Sequence, residues 1–253
     1  MDFSFSILLA LFLAAISASF IDSIAGGGGL ISLPMLLWAG LPPTLAIGTN
    51  KAQSSFGTSM AVWRYHRAGL IEWSALKWAI PMTFGAALMG SWTLTLISSQ
   101  QLRLLLPWCL LAVAGYVLVS PRLGTDPKPA RLNPLLFTLV FSLLLGFYDG
   151  FFGPGTGAFW TLALVSLAGY ALPEATAYTK VVNLTSNVAS LLIFTIKDQV
   201  LFFPIAAVMI AGQLIGAYLG ANLAIRHGAK FIRLVFLGVV FALIIRLLLT
   251  QPN

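Results

Sequence analysis

An aspartate, a run of glycines and a lysine are set into sequence otherwise suited to hydrocarbon, and the arrangement occurs twice. The first copy is Asp22-Ser-Ile-Ala-Gly-Gly-Gly-Gly29, followed by Gly48-Thr-Asn-Lys51. The second is Asp149-Gly-Phe-Phe-Gly-Pro-Gly-Thr-Gly157, followed by Ala177-Tyr-Thr-Lys180. A charge near the centre of a bilayer costs about 2.5–3.5 kcal/mol or more. Non-helical backbone survives at that depth only when buried in protein or lining a cavity. A chain that keeps both features in duplicate must gather them in its interior, which makes the pair the candidate functional site.

Composition identifies the solvent. Of 253 residues, 59% are hydrophobic and only 8% charged, with a mean hydropathy of +0.94. A soluble domain carries about a quarter charged residues, so this chain cannot cover a water-facing surface and reads as a polytopic membrane protein. The net charge of +7 comes from bases at the ends of apolar segments, as the positive-inside bias places them. No basic face interleaved with aromatics is present, which excludes nucleic acid as a partner. Cys109 is the only cysteine, so an intrachain disulfide and any multi-cysteine metal site are excluded. No Gly-Lys-Ser/Thr follows either glycine run, which excludes a P-loop, and no cofactor is expected. His66 and His227 sit beside arginines at segment ends and read as interfacial. Trp38, Trp73, Trp78, Trp92 and Trp108 read as interfacial anchors. The first apolar run lacks the basic start of a secretory signal, and it already carries the first aspartate–glycine motif, so it is expected to be a membrane segment.

Apolar segments run over 4–25, 30–41, 44–66, 75–97, 102–119, 135–152, 157–171, 173–196, 200–225 and 229–249. Most reach the roughly 20 residues a spanning helix needs. Segments 30–41 and 157–171 are too short, and both follow a glycine break, so they are expected to be re-entrant half-helices. A polar linker, 120–134, holds Arg122, Asp126, Lys128 and Arg131 among prolines. It separates a first transmembrane repeat, 1–119, from a second, 135–253. The halves align collinearly: Asp22 to Gly28 matches Asp149 to Gly155 at a shift of 127, and Lys51 matches Lys180 at 129. At that second shift Ala87 and Ser91 meet Gly216 and Gly220, small residues suited to close helix packing in lipid.

Basic residues follow 44–66 in the first half (Arg64, His66, Arg67, Lys77), but in the second half they lie one loop later (Arg226, His227, Lys230, Arg233). The bias swaps between equivalent loops, so the halves are expected to lie upside down relative to each other. With the linker and basic loops cytoplasmic, both termini are periplasmic. Inversion needs an odd number of crossings per half, met by three spanning helices plus a hairpin folded back at its glycine break. The fold class expected is therefore all-α, with two inverted-topology repeats, each holding a glycine-broken re-entrant helix pair and three spanning helices.

Lys51, Ser54, Ser55 and Thr58 fall on one helical face, as do Lys180, Asn183 and Asn187, with Ser186 alongside. Such stripes suit a small anionic substrate. Lys51 and Lys180 would supply charge, and Asn50, Gln53, Thr179, Asn183 and Asn187 would orient oxygens. Gly28, Gly29, Gly155 and Thr156 would offer backbone N–H at half-helix starts, where the helix dipole favours anions. Alternatively, each lysine snorkels to its interface or pairs with Asp22 or Asp149 as a packing element. The aspartates read either as proton-coupling groups or as salt-bridge partners. Two further functions stay open: an intramembrane aspartyl hydrolase using Asp22 and Asp149 as a dyad, and a passive anion channel. Self-association also stays open.

The segments 22–31 and 48–51, 149–157 and 179–187 resemble the duplicated signatures of the TauE/SafE family, the sulfite exporter and anion permease group. The resemblance covers nearly the whole chain, and the Tyr-Asp-Gly-Phe-Phe-Gly-Pro-Gly form is similar to the compact bacterial inner-membrane subgroup of probable transporters. It implies transport of sulfite, sulfoacetate or another sulfonate across the inner membrane, without enzymatic activity. Tyr178-Thr-Lys180 departs from the Gly-Thr-Ser-Lys form of many relatives, which puts the equivalence of the two lysine sites in doubt.

Overall fold

The computed structural model describes residues 3–102, 104, 108 and 129–249. Most of the 102–119 segment, with Cys109, and the linker up to residue 128 lie outside the described residues. Every regular element among the described residues is helical: α1 (Phe5–Ala25), α2 (Gly29–Trp38), α3 (Pro43–Arg67), α4 (Trp73–Leu76), α5 (Ala79–Thr95), α6 (Pro134–Phe151), α7 (Thr156–Ser166), α8 (Leu172–Ile196) and α9 (Ala207–Leu249). A π-helical turn, Phe202–Ala206, precedes α9. The helical run of α9 is broken at Gly228, where φ is +62°, between the two segments expected at 200–225 and 229–249.

Local chemistry sets the helix ends. The Ser4 hydroxyl accepts from the Ile7 N–H at the start of α1, and Asn133 caps α6 through Leu135 N at 2.9 Å. Proline opens α3 and α6 at positions where a missing N–H costs nothing. Arg64, His66 and Arg67 fill the last turn of α3, where the helix dipole favours cations.

Four stretches among the described residues are long and apolar enough to cross a membrane: Phe5–Ala25, Pro134–Phe151, Leu172–Ile196 and Phe203–Gly228. The α3 helix has 25 residues, enough length to cross, but its polar stripe lowers its hydropathy below a span's. Large apolar side chains face outward. Leu136, Val140, Leu144 and Phe147 form one exposed face of α6, and Phe5, Leu9 and Leu13 one of α1. The polar groups Lys51, Gln53, Thr179, Lys180 and Asn183 are buried instead. The five tryptophans expected as anchors are all exposed, whereas Trp160 is 1% exposed.

Packing is reciprocal between the halves. The most extensive contacts are α1 with α9 and α5 with α6, then α3 with α8, α5 with α8 and α3 with α9. Exchanging each first-half helix for its second-half counterpart maps this set onto itself. Small residues permit the closest crossings. A Cβ on Gly216 would lie 2.2 Å from the Ile16 carbonyl oxygen, and one on Gly90 2.1 Å from that of Phe147. Gly85 has open space at the same position. Gly85→Ala is therefore neutral or stabilising by up to about 1 kcal/mol. Gly216→Ala must push α1 from α9 and loses at least the ~1–3 kcal/mol of ordinary overpacking. Thermal melts of the two purified variants in detergent check the contrast.

Candidate functional site

Both lysines are the ninth residue of their helix, α3 and α8, about 12 Å along the axis at 1.5 Å per residue. Neither snorkels, since Lys51 is 1% and Lys180 0% exposed. Each pairs with the aspartate of the other half. Lys51 Nζ donates to Asp149 Oδ1 at 2.7 Å and to the Asp149 carbonyl at 2.6 Å, and also to Asn187 Oδ1 at 3.2 Å. Lys180 Nζ donates to Asp22 Oδ2 at 2.9 Å and to the Asp22 carbonyl. The carbonyls belong to the last turns of α1 and α6, and that of Asp22 also accepts from the Gly26 N–H at 2.9 Å. The ammonium groups therefore cap the broken helices as well as neutralising their carboxylates. The salt-bridge reading of the aspartates thus has a direct geometric basis, but it runs across the halves.

The remaining carboxylate oxygens are also engaged. Asp22 Oδ1 accepts from Gly28 N at 3.1 Å, and Asp149 Oδ2 accepts from the Ser186 hydroxyl. All four oxygens are thus held by other groups, and no proton is shared between the two acids. An aspartyl dyad requires that shared proton, so the arrangement does not favour a hydrolase.

The glycine breaks meet each other. A Cβ on Gly26 would fall 2.6 Å from Gly157 C and Ala158 N, so only glycine lets the two strands of broken backbone touch. The second break is held by Tyr148 donating to the Pro154 carbonyl and by the Thr156 hydroxyl donating to the Gly153 carbonyl, with Gly155 left-handed at φ +84°.

Around this crossing lies a cavity of about 40 Å³. One water needs roughly 10–15 Å³ on this measure, so there is room for a few waters or one compact solute, not for a nucleotide or peptide. The cavity is lined by Asp22 and Asp149, by Lys51, Asn50, Asn183 and Asn187, and by both breaks, including Gly28, Gly29, Gly155 and Thr156. Three expected residues do not line it. Lys180 lies buried against Asp22. Gln53 donates to Asn50 Oδ1 at 2.7 Å, and Thr179 meets Thr161 at 3.2 Å. Ser54 and Thr58 line it from α3, as the stripe on that helix suggested. Gln213 of α9 also lines it, and sequence reasoning missed it. Its only signal was an amide well inside the apolar 200–225 segment, which also holds Asn222 nearer its end. No group of three or more histidine, cysteine or acidic side chains able to hold a metal occurs among the described residues.

The family model described as "Sulfite exporter TauE/SafE" matches residues 11–247. The chain belongs to the TauE/SafE family. A "Probable membrane transporter protein ORF9" of Sinorhizobium sp is 42% identical over 250 residues, covering 98% of this chain and 94% of the relative. A probable membrane transporter protein of Haemophilus influenzae is 42% identical over 233 residues, 92% of this chain and 91% of its own length. YfcA of Escherichia coli, also named a probable membrane transporter protein, is 40% identical over 227 residues, 90% of this chain and 84% of its own. No solved structure gives a significant match. The protein is thus a member of a membrane transporter family, and its apolar helices fit a multi-pass membrane protein.

Removing Lys51 alone leaves Asp149 charged at 6% side-chain exposure. Breaking a buried pair in this way costs about 3–5 kcal/mol. Lys51→Met is therefore expected to be far less stable than Lys51→Met combined with Asp149→Leu, in which no lone charge remains. A double-mutant comparison of thermal stability in detergent checks this, and additive losses would contradict it.

Proposed function

We propose that this TauE/SafE member is a secondary transporter that carries a small sulfur-containing anion, such as sulfite, sulfoacetate or another sulfonate, across the bacterial inner membrane. The observation that carries this reading is the cavity, which takes a charged lysine, four amides and two broken helices from both halves and has room for only a compact solute. The family description names sulfite export, and an oxyanion of that size suits the donors present. In this reading residues 1–119 and 135–253 are inverted repeats joined by a cytoplasmic linker at 120–134, with both termini periplasmic. The α1–α2 and α6–α7 pairs are re-entrant. The two repeats rock about the cavity, opening it to one side at a time.

The crossed salt bridges bear on coupling. Two ammonium groups face two carboxylates, so the site carries no net charge to welcome an anion. Protonating one aspartate frees a lysine's charge, and the anion then enters with its proton. Asp22 is the more accessible, at 22% side-chain exposure against 6% for Asp149, which makes Asp22 the proton entry point.

Proteoliposome transport of sulfite tests both parts. Lys51→Ala and Lys180→Ala are each expected to lower transport at least tenfold; unchanged transport with both replaced removes the anion-site assignment. Asp22→Asn is expected to abolish accumulation driven by a pH gradient while anion exchange across the membrane persists. Normal accumulation by Asp22→Asn removes proton coupling through that residue.

A further inference from the structure

We infer that Gln213 is a further anion-binding residue, its side-chain amide donating to an oxygen of the transported oxyanion on the Asp22 side of the cavity. The inference rests on the cavity being the anion site. Gln213 is 5% exposed and lines the cavity. Its carbonyl accepts from the Ser19 hydroxyl at 2.8 Å, which ties this turn of α9 to α1. Its side-chain amide has no hydrogen-bond partner among the described residues. The amide opens onto the cavity, where a bound molecule can take the hydrogen bonds that the protein does not supply.

Its position completes a pattern left unfinished in the first half. At the shift of 129, Ser186 corresponds to Gly57 and Asn187 to Thr58. Around Asp149, α8 supplies both polar groups: the Ser186 hydroxyl donates to the carboxylate, and Asn187 accepts from Lys51. Around Asp22, Gly57 offers no side chain, and the Thr58 hydroxyl donates back to the Ser54 carbonyl at 2.7 Å. Gln213 enters over Gly57 from a different helix, its Oε1 lying 2.3 Å from where a Gly57 Cβ would stand. A serine at 57, as in the other half, would displace that amide.

The donor count points the same way. An ammonium can only donate, so Lys51 takes the oxygen of Asn187 and leaves the Asn187 –NH₂ for a ligand. Lys51 and Lys180 are committed to carboxylates. The amides of Gln213 and Asn187 thus join those of Asn50 and Asn183 as lining groups whose –NH₂ donates to no described residue. Neutral donors at several points suit a compact anion with several oxygens.

Calorimetric binding of sulfite, thiosulfate and sulfoacetate to the purified protein in detergent tests this, alongside melts of the same samples. For whichever anion the unaltered protein binds, Gln213→Met, which keeps length and apolar contact, is expected to raise Kd at least tenfold with an unchanged Tm. Gln213→Glu, isosteric but charged, is expected to abolish binding. Kd within twofold of the unaltered protein in either variant overturns the role of Gln213, and Gln213→Glu decides the matter if Gln213→Met does not fold. Binding of none of the three anions by the unaltered protein overturns the anion reading of the cavity, and this role with it.

Discussion

The fold depends on two salt bridges that cross between its halves in surroundings where an unpaired charge is prohibitive. Lys51 pairs not with Asp22 of its own half but with Asp149, and Lys180 reaches back to Asp22. Neither half can bury its lysine alone. Each ammonium also donates to a carbonyl in the last turn of the other half's first helix. The interface between the halves is therefore electrostatic as well as apolar, tying α3 to the end of α6 and α8 to the end of α1.

Close backbone approach follows from that requirement. The ammonium groups reach across only if the broken strands pass within touching distance. Gly26 against Gly157 provides that approach at the centre, and Gly216 and Gly90 provide it along the flanking pairs α1–α9 and α5–α6. A membrane interior offers no hydrophobic drive for helices to associate, so tight packing of small residues does this work. The result is an interior that is polar at its centre and a perimeter that is apolar, the reverse of a soluble globule.

Much of this was legible in the chain. The helix starts at Pro43 and Leu172 lie within a residue of the expected ones, because proline and the change in hydropathy mark them. The depth of both lysines in their segments pointed to burial but left snorkelling open, and the structure buries them; Asn50, Asn183, Asn187, Gly28, Gly29, Gly155 and Thr156 do converge on one cavity. The crossing of the pairs was not legible, since spacing within one segment says nothing about which segment it packs against. Gln53 and Thr179 sit on the expected helices but turn toward Asn50 and Thr161, a matter of side-chain direction that a helical stripe resolves only to about one face. Gln213 was invisible for a different reason. It sits at a place where the two halves differ, and reading one half through the other conceals such a residue.

The central claim is that balanced charge at the crossing obliges an anion to travel with a compensating proton. Uptake of a monovalent sulfonate into proteoliposomes, with the membrane potential clamped by potassium and valinomycin, tests it most directly. The account predicts electroneutral uptake: the rate follows the pH gradient and does not change when the clamped potential is reversed. Uptake that follows the potential and ignores the pH gradient would contradict it.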